Sequence, residues 1–236
     1  MTVGLIVAFD TATRHCAVVL AQDGRVLAQR SADTERFSHA EKLNVFIAAV
    51  LNEAGKRPRD LEAAAVGIGP GSYTGLRIGL SAAKGMCFAL DIPLIGLGTL
   101  DILGHELLGA GPVRAVNDVL HPMVDARRME VFTKEMDGSG IPRTPARPVL
   151  LDEEWCAALA PDRGHVVFGD GADKAAALWA VHPHLTHVPG IRPSVAGLAS
   201  ASDIAFRQRA FADLTGLVPD YGKEANVTQP AKRTAQ

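Results

Sequence analysis

The chain has 236 residues, of which 47% are hydrophobic and 21% are charged, a composition typical of a globular protein with one large core or two smaller ones. Its formal net charge of −2 argues against the gripping of a nucleic-acid backbone as the main task, since such proteins usually carry a basic excess. Three widely spaced cysteines, and the lack of a signal peptide or of about 20 consecutive apolar residues, predict a cytoplasmic protein without a membrane span.

Three strands are predicted at the start of the chain. Residues 3–9 form a nearly continuous apolar run that ends at Asp10, which is typical of a central strand covered on both faces. Two further strands follow at 15–21 and 25–31, joined by an Asp-Gly turn. The chain therefore opens with a buried strand that ends in an aspartate, followed by an antiparallel hairpin.

A helix is predicted next. Ser38 and Glu41 form a capping box, and apolar residues then recur at helical spacing until Gly55 ends the pattern. The apolar run at 63–68 predicts a buried strand. This strand leads into the most unusual stretch of the sequence.

That stretch is a glycine-rich turn at 67–75, followed by a second helix from about 74 to 90. Gly75, Gly79 and Ala83 lie four residues apart, so the helix has a smooth face against which another element can pack closely. The P-loop lysine is absent after Gly75, the dinucleotide fingerprint lacks its last glycine, and the nucleophile elbow lacks both of its glycines. A strand at 93–97 and a helix at 100–108 complete the first half.

The second half of the chain repeats the opening order. Strands are predicted at 113–117 and 121–124, the second ending at Asp125, and the alternating segment 129–135 predicts a hairpin partner. The strand–aspartate–hairpin pattern thus occurs twice, which indicates two like-folded halves around a cleft. Later elements are predicted as helices at 152–159, 174–180 and 195–214 and a strand at 166–168.

Residues 69–79, with the sequence Gly-Pro-Gly-Ser-Tyr-Thr-Gly-Leu-Arg-Ile-Gly, resemble the signature of the TsaB (YeaZ) family. Tyr73 stands where most members have phenylalanine. The segments 125–132 and 219–223 are also similar to that family, whose members are accessory proteins of bacterial threonylcarbamoyladenosine (t6A) biosynthesis on tRNA.

The resemblance implies an α/β fold. It consists of two similar halves of the actin-like ATPase (ASKHA, ribonuclease H-like) type, each a mixed five-stranded sheet flanked by helices. We expect the halves to span 1–110 and 111–222, followed by a tail at 223–236. The helix at 194–214 is expected to pack back on the first half.

The resemblance further implies a non-catalytic subunit of the t6A synthase complex. Such a subunit binds and activates TsaD for transfer of the threonylcarbamoyl group to N6 of adenosine 37 in tRNAs that read ANN codons. Expected partners are TsaD, the ATPase TsaE and, through the same helical face, a second copy of the chain, with tRNA met only through the complex. The residues expected at that partner-binding face are Leu43, Phe46, Ile47, Val50, Tyr73, Gly75, Arg77, Gly79, Ala83 and Met86.

The ATPase-like outline also implies a nucleotide cleft where the aspartate-ended strands meet. Its candidate residues are Asp10, Thr11, Thr13 and Asp125. Gly169-Asp-Gly171 resembles an adenosine-contact turn in position, but glycine after a strand is common, and we favour an ordinary turn there. These ATPases tend to have glycine where this chain has Ala12, so we interpret the cleft as vestigial. We expect no catalytic residue, no metal and no tightly bound cofactor, with ATP or ADP held weakly or at a partner interface.

The enzymatic alternatives are an ASKHA-type ATP-dependent small-molecule kinase, an M22-like metallopeptidase or transferase, and a serine hydrolase. A kinase needs a phosphate-gripping glycine after Asp10, and the hydrolase has no supporting motif. The metal-dependent family uses a His-x-x-x-His pair, and none of the eight histidines has a second one four residues later. His182, His184 and His187 cluster around a proline, which we interpret as a surface loop.

Overall fold

The computed structural model describes residues 4–33, 39–111 and 117–222. The first of its two sheets is built around a strand that is buried along its whole length, as the apolar run predicts. The strands are β1 (Leu5–Asp10), β2 (His15–Gln22), β3 (Arg25–Asp33), β4 (Ala63–Gly69) and β5 (Leu94–Gly98), in the order β3-β2-β1-β4-β5. β1 and β3 pair antiparallel with β2, whereas β4 is parallel to both β1 and β5.

Helices cover both faces of this sheet. They are α1 (His39–Glu53), α2 (Tyr73–Leu90) and α3 (Thr99–Gly109), with a short 3₁₀ turn at Pro58–Asp60. α1 and α2 share one core with Val7, Phe9 and Val66 of the sheet. α3 lies on the opposite face, where Ile102 packs against Ile6 and Ile95.

The second sheet has the same strand order as the first. Its strands are β6 (Val119–Asp125), β7 (Glu130–Thr133), β8 (Arg147–Leu150), β9 (His165–Phe168) and β10 (Leu185–Val188), in the order β8-β7-β6-β9-β10. β6 and β8 are antiparallel to β7, and β9 is parallel to β6 and β10. The two central strands, β1 and β6, both end in an aspartate. The predicted fold class, two similar α/β halves with mixed five-stranded sheets, is therefore confirmed.

The remaining helices are α4 (Glu153–Ala157), α5 (Asp170–Asp173), α6 (Ala176–Trp179) and α7 (Val195–Arg207). The first three pack on the second sheet, around Trp179 and Met123. α7 instead packs on the first sheet, where Leu198 and Ala199 join the core that contains Ile6 and Ile102. The α7 helix therefore belongs to the first lobe in space although it follows the second sheet in the chain. The division of the chain into halves at 1–110 and 111–222 stays a prediction.

Several predicted elements differ from the structure. β8 and β10 were not predicted as strands, and β10 runs through the segment interpreted as a histidine-rich surface loop. The helix predicted at 195–214 ends at Arg207, and the helix predicted at 174–180 is replaced by the short helices α5 and α6. Ser38, residues 113–116 of the predicted strand and the tail at 223–236 lie outside the described residues.

The segment from 208 to 222 returns across the first lobe. Ala212 forms an antiparallel bridge with Leu94 of β5, and the N–H of Asp220 donates to the carbonyl of Ile68 at 2.7 Å. Leu214 and Leu217 pack against the core beneath α1 and α2. This closing segment therefore reaches the glycine-rich turn at the end of β4.

Candidate functional site

Asp10 lies at the end of β1 and is completely buried. Its Oδ1 accepts a hydrogen bond from the N–H of Ala12 at 2.9 Å, whereas Oδ2 has no partner among the described residues. The carboxyl group lies against Gly67, where a Cβ would come within 1.8 Å of Oδ2, so only glycine is compatible with this arrangement. The pKa of Asp10 is raised to about 7. Burial is the largest cause, the hydrogen bond from the Ala12 N–H opposes it, and the charge of Asp170 adds to it.

Thr11 joins this turn to α2. Its Oγ1 donates to the carbonyl of Gly75 at 2.8 Å. A Cβ on Gly75 would lie 2.0 Å from the carbonyl oxygen of Thr11, and one on Gly79 would lie 2.5 Å from its Oγ1. The small-residue face of α2 therefore packs on the chain's own β1–β2 turn and on Val66 of β4.

This packing corrects part of the predicted partner-binding face. Six of its residues lie inside the chain's own core, because the apolar stripes of α1 and α2 both face the first sheet: Leu43, Ile47, Val50, Gly75, Gly79 and Ala83. Phe46 and Met86 are half-buried at the edge of that core. Tyr73 and Arg77 are exposed. The ridge of small residues predicted as a docking face is thus an internal contact.

The outer side of the two helices carries different residues. Phe88 on α2 is 81% exposed and Val45 on α1 is 64% exposed. A groove of about 490 Å³ runs between the helices and is lined in part by Asn44, Arg77 and Ser81. We define the outer helical face as the exposed residues that border this groove or continue its rows: Asn44, Val45, Ala48, Arg77, Ser81, Gly85 and Phe88.

Sequence reasoning missed Val45 and Phe88 because it took the small-residue row as the outer one. A signal was available in the α1 sequence, where the apolar residues spread beyond one narrow stripe. Apolar residues beyond the stripe that faces the core must lie on the exposed side of the helix, and Val45 is one of them.

Tyr73 and Arg77 meet the closing segment at the start of α2. The Arg77 Nε donates to the hydroxyl of Tyr221 at 2.9 Å, and the ring of Tyr221 stacks on that of Tyr73 with centroids 4.6 Å apart. The Arg77 guanidinium also lies 4.2 Å from the centroid of the Tyr73 ring. These contacts hold two predicted partner-binding residues in place at one end of the outer helical face.

The second aspartate turn is built differently from the first. Asp125 is exposed and forms an ion pair with Lys174, and its N–H donates to the carboxylate of Asp170 at 3.1 Å. Burial raises the pKa of Asp170. Asp170 was not among the predicted site residues, although it lies within the Gly169–Gly171 turn that was singled out. The aspartate that ends the central strand is therefore buried in the first lobe, whereas its counterpart in the second lobe is exposed and forms an ion pair.

The predicted nucleotide residues direct most of their polar atoms onto their own chain. The Thr13 Oγ1 accepts from the N–H of His15 at 3.1 Å, and the Asp125 Oδ1 accepts from the N–H of Arg127 at 2.9 Å. Near the first turn, a Cβ on Gly222 would lie 2.6 Å from Phe132 and 3.0 Å from Pro70, so the closing segment sits between the two lobes. A helix or turn binds phosphate oxygens through N–H groups that are not already in use. Here the N–H groups of His15 and Arg127 donate to side chains of their own turns, so these two donors do not fit a nucleotide phosphate. Nucleotide binding at this cleft stays a prediction.

The clustered histidines have separate partners. His182 contacts Glu153 and His187 contacts Asp173, each at 2.9 Å. Across residues 4–33, 39–111 and 117–222, no three His, Cys, Asp or Glu side chains are placed to hold a metal ion together. Within the same ranges, no helix is both long and apolar enough to cross a bilayer.

Comparison with known proteins identifies relatives along most of the chain. The family model "TsaD: tRNA N6-adenosine threonylcarbamoyltransferase" matches residues 33–140. The tRNA threonylcarbamoyladenosine biosynthesis protein TsaB of Bacillus subtilis is 29% identical over 221 residues, which cover 92% of this chain and 93% of that protein. The Escherichia coli protein of the same name is 36% identical over 162 residues, covering 68% of this chain and 64% of that protein.

A solved structure has the same fold. It is a Pseudomonas aeruginosa protein described as uncharacterized, with similarity to the peptidase YEAZ. It superimposes with a TM-score of 0.76 at 24% identity and covers 94% of this chain and 100% of its own.

Two α2 glycines, one buried and one exposed, provide the first prediction. Gly79→Ala places a methyl group against Thr11 and is expected to lower the free energy of unfolding by about 1–3 kcal/mol. A methyl group on Gly85 would have no atom within 4 Å, so Gly85→Ala is expected to raise that free energy by up to about 1 kcal/mol. Urea unfolding of both variants measures the difference, and equal effects would contradict the packing of α2 described above.

The buried Asp10 carboxyl provides the second prediction. An unfolded aspartate titrates near about 3.9, whereas folding raises the pKa of Asp10 to about 7. Between these values the folded state holds a proton that the unfolded state has released, so this group's contribution to stability falls as the pH rises and is constant above both values. Asp10→Asn removes the titration. Relative to wild type, its free energy of unfolding should therefore increase from about pH 4 to 7, by up to about 4 kcal/mol.

Urea unfolding of wild type and Asp10→Asn across this pH range makes the measurement. Asp170 remains in both proteins and serves as the shared background. Parallel stability profiles would show that Asp10 does not hold its proton in the folded state.

Proposed function

The chain belongs to the TsaB (YeaZ) family, and from that premise we propose that it is a non-catalytic subunit of the bacterial machinery that makes t6A on tRNA. Its task is to bind TsaD and to activate it for transfer of the threonylcarbamoyl group to N6 of the adenosine beside the anticodon. The ATPase TsaE joins the same assembly, and tRNA is met only through the complex. The low net charge supports an indirect contact with tRNA.

The single observation that carries this proposal is the outer helical face. Phe88 and Val45 are large apolar side chains left mostly in water on neighbouring helices. Exposed apolar side chains beside a groove and a polar rim are typical of protein-binding surfaces. Asn44, Arg77 and Ser81 supply that rim. We propose that TsaD occupies this face and that a second copy of the chain uses it when TsaD is absent.

The contacts at the two aspartates support a subunit without chemistry of its own. The Asp10 carboxyl is sealed against Gly67, and Asp125 is paired with Lys174. A kinase needs a carboxylate that faces its substrate, and a metallopeptidase needs grouped ligands. We therefore propose that any ATP or ADP is bound weakly or at a partner interface.

The third prediction tests the docking face. Phe88→Glu puts a charge where an apolar contact is expected, so it should weaken binding to TsaD from the same organism by about tenfold or more. The matched control is Val181→Glu, because Val181 is 66% exposed and lies on the second lobe, away from α1 and α2. Titration calorimetry gives the affinities, and nucleoside analysis of tRNA modified by the reconstituted complex gives the t6A yield.

Loss of both affinity and t6A yield in Phe88→Glu alone would support the proposal. Equal affinity of wild type and Phe88→Glu would overturn the placement of TsaD on this face. Steady ATP hydrolysis or a stoichiometric metal in the purified chain alone would overturn the non-catalytic role.

A further inference from the structure

A small cavity lies in the second lobe, apart from the outer helical face and from the aspartate turns. Its volume is about 110 Å³, and it opens between α4 and the strands β6, β7 and β8. Trp155 and Leu159 form an apolar wall, and His121, Thr133, Glu135 and Arg147 supply polar groups. Since a closed cavity of about 150 Å³ holds the six carbons of benzene, this one encloses about four or five non-hydrogen atoms, and the charged ends of a slightly larger ligand would lie at its opening.

The polarity of His121 follows from a chain of hydrogen bonds. The Nε2 of His165 lies 2.9 Å from the carbonyl oxygen of Ala160, which can only accept, so this nitrogen carries the proton. In that tautomer the Nδ1 of His165 is an acceptor. The Nε2 of His121, 3.0 Å away, must donate to it. In this arrangement the Nδ1 of His121 carries the lone pair and acts as an acceptor.

His121 keeps this role across the physiological pH range. Its side chain is 1% exposed, and burial lowers its pKa to about 3, with the nearby His165 and Arg147 adding to the effect. The ring therefore stays neutral and offers a lone pair, which suits a ligand that donates a proton in a hydrogen bond.

Thr133 provides a second unused group on the same side of the sheet. Its side chain is 4% exposed, and its Oγ1 has no hydrogen-bond partner among the described residues. A buried hydroxyl without a partner is unfavourable, because folding has removed it from water without replacement. A ligand hydroxyl could accept from Thr133 and donate to His121.

The charges at the cavity are of both signs. Lys134 is already paired with Asp101, at 2.5 Å. Arg147 and Glu135 also line the cavity, and neither forms an ion pair with another described residue. A guanidinium binds a carboxylate well, and a carboxylate binds an ammonium group. A zwitterion therefore satisfies both charges at once.

We propose that this cavity binds a small hydroxylated α-amino acid. The carboxylate pairs with Arg147, the ammonium group with Glu135, and the hydroxyl group lies between Thr133 and His121. The carbon skeleton contacts Trp155. This site goes beyond the docking role proposed above and is independent of it.

The fourth prediction uses L-serine as the probe and the fluorescence of Trp155 as the reporter, with titration calorimetry as the second measurement. L-serine should produce a saturable change in the purified full chain. L-alanine lacks the hydroxyl group, ethanolamine lacks the carboxylate and 3-hydroxypropionate lacks the ammonium group. Each should bind about tenfold more weakly or worse, because each lacks one of the groups that the cavity residues would pair with.

Thr133→Val removes the hydroxyl group at nearly constant volume and should weaken L-serine binding by about tenfold or more. Its matched control is Thr99→Val, because the Thr99 Oγ1 is likewise buried and has no partner in the part of the chain that the structure describes, yet does not line the cavity. Arg147→Gln, with the exposed Arg143→Gln as its control, makes the same test without altering a buried side chain.

Loss of binding in Thr133→Val and Arg147→Gln, with both controls unchanged, would support the site. The absence of a saturable response to L-serine in wild type, or equal binding of L-serine and L-alanine, would overturn it. Equal binding by wild type and Arg147→Gln would do the same, whatever the folding of the Thr133 variant.

Discussion

The contact between the small-residue face of α2 and the turn after β1 is the constraint on which the first lobe depends. Thr11 donates to the carbonyl of Gly75, and its side chain occupies the space that a methyl group on Gly79 would need. Because α2 packs directly on the turn after β1, this turn is shielded from solvent. The opposite side of the helix is exposed and includes Phe88. One close approach thus determines both what is sealed and what is available for binding.

Much of the fold could be predicted because it rests on local patterns. The apolar run before Asp10 and its repetition before Asp125 predict two central strands and, with the hairpins, two like-folded halves. The predictions that were wrong concern features set by residues far away in the sequence. Gly79 and Gly85 are both glycines of one helix, and the positions of Thr11 and Val66 make Gly79 internal. β10 was missed because its pairing with β9 is parallel and joins segments separated by two short helices.

The candidate site was predictable to a smaller extent than the fold. The strand ends place Asp10 and Asp125 at equivalent positions in two similar sheets, as the sequence repeat indicates. Their surroundings differ, however, since Gly67 and burial keep the first carboxyl away from water, whereas Lys174 and Asp170 surround the second. Topological equivalence therefore does not carry chemical equivalence. The side chains that separate the two cases lie in other elements, which no local pattern could connect.

The two lobes meet through α3, which gives the second lobe a physical connection to the first. Met136, just beyond β7, packs against Gly104 of α3, and Lys134 from the same segment is paired with Asp101 of that helix. Thr133 and Glu135 alternate with these residues along the chain, and both line the small cavity. A ligand that ordered this segment would act on the same stretch of backbone that contacts α3. α3 packs on one face of the first sheet, and α1 and α2 pack on the other. The first sheet and α3 therefore separate the small cavity from the outer helical face.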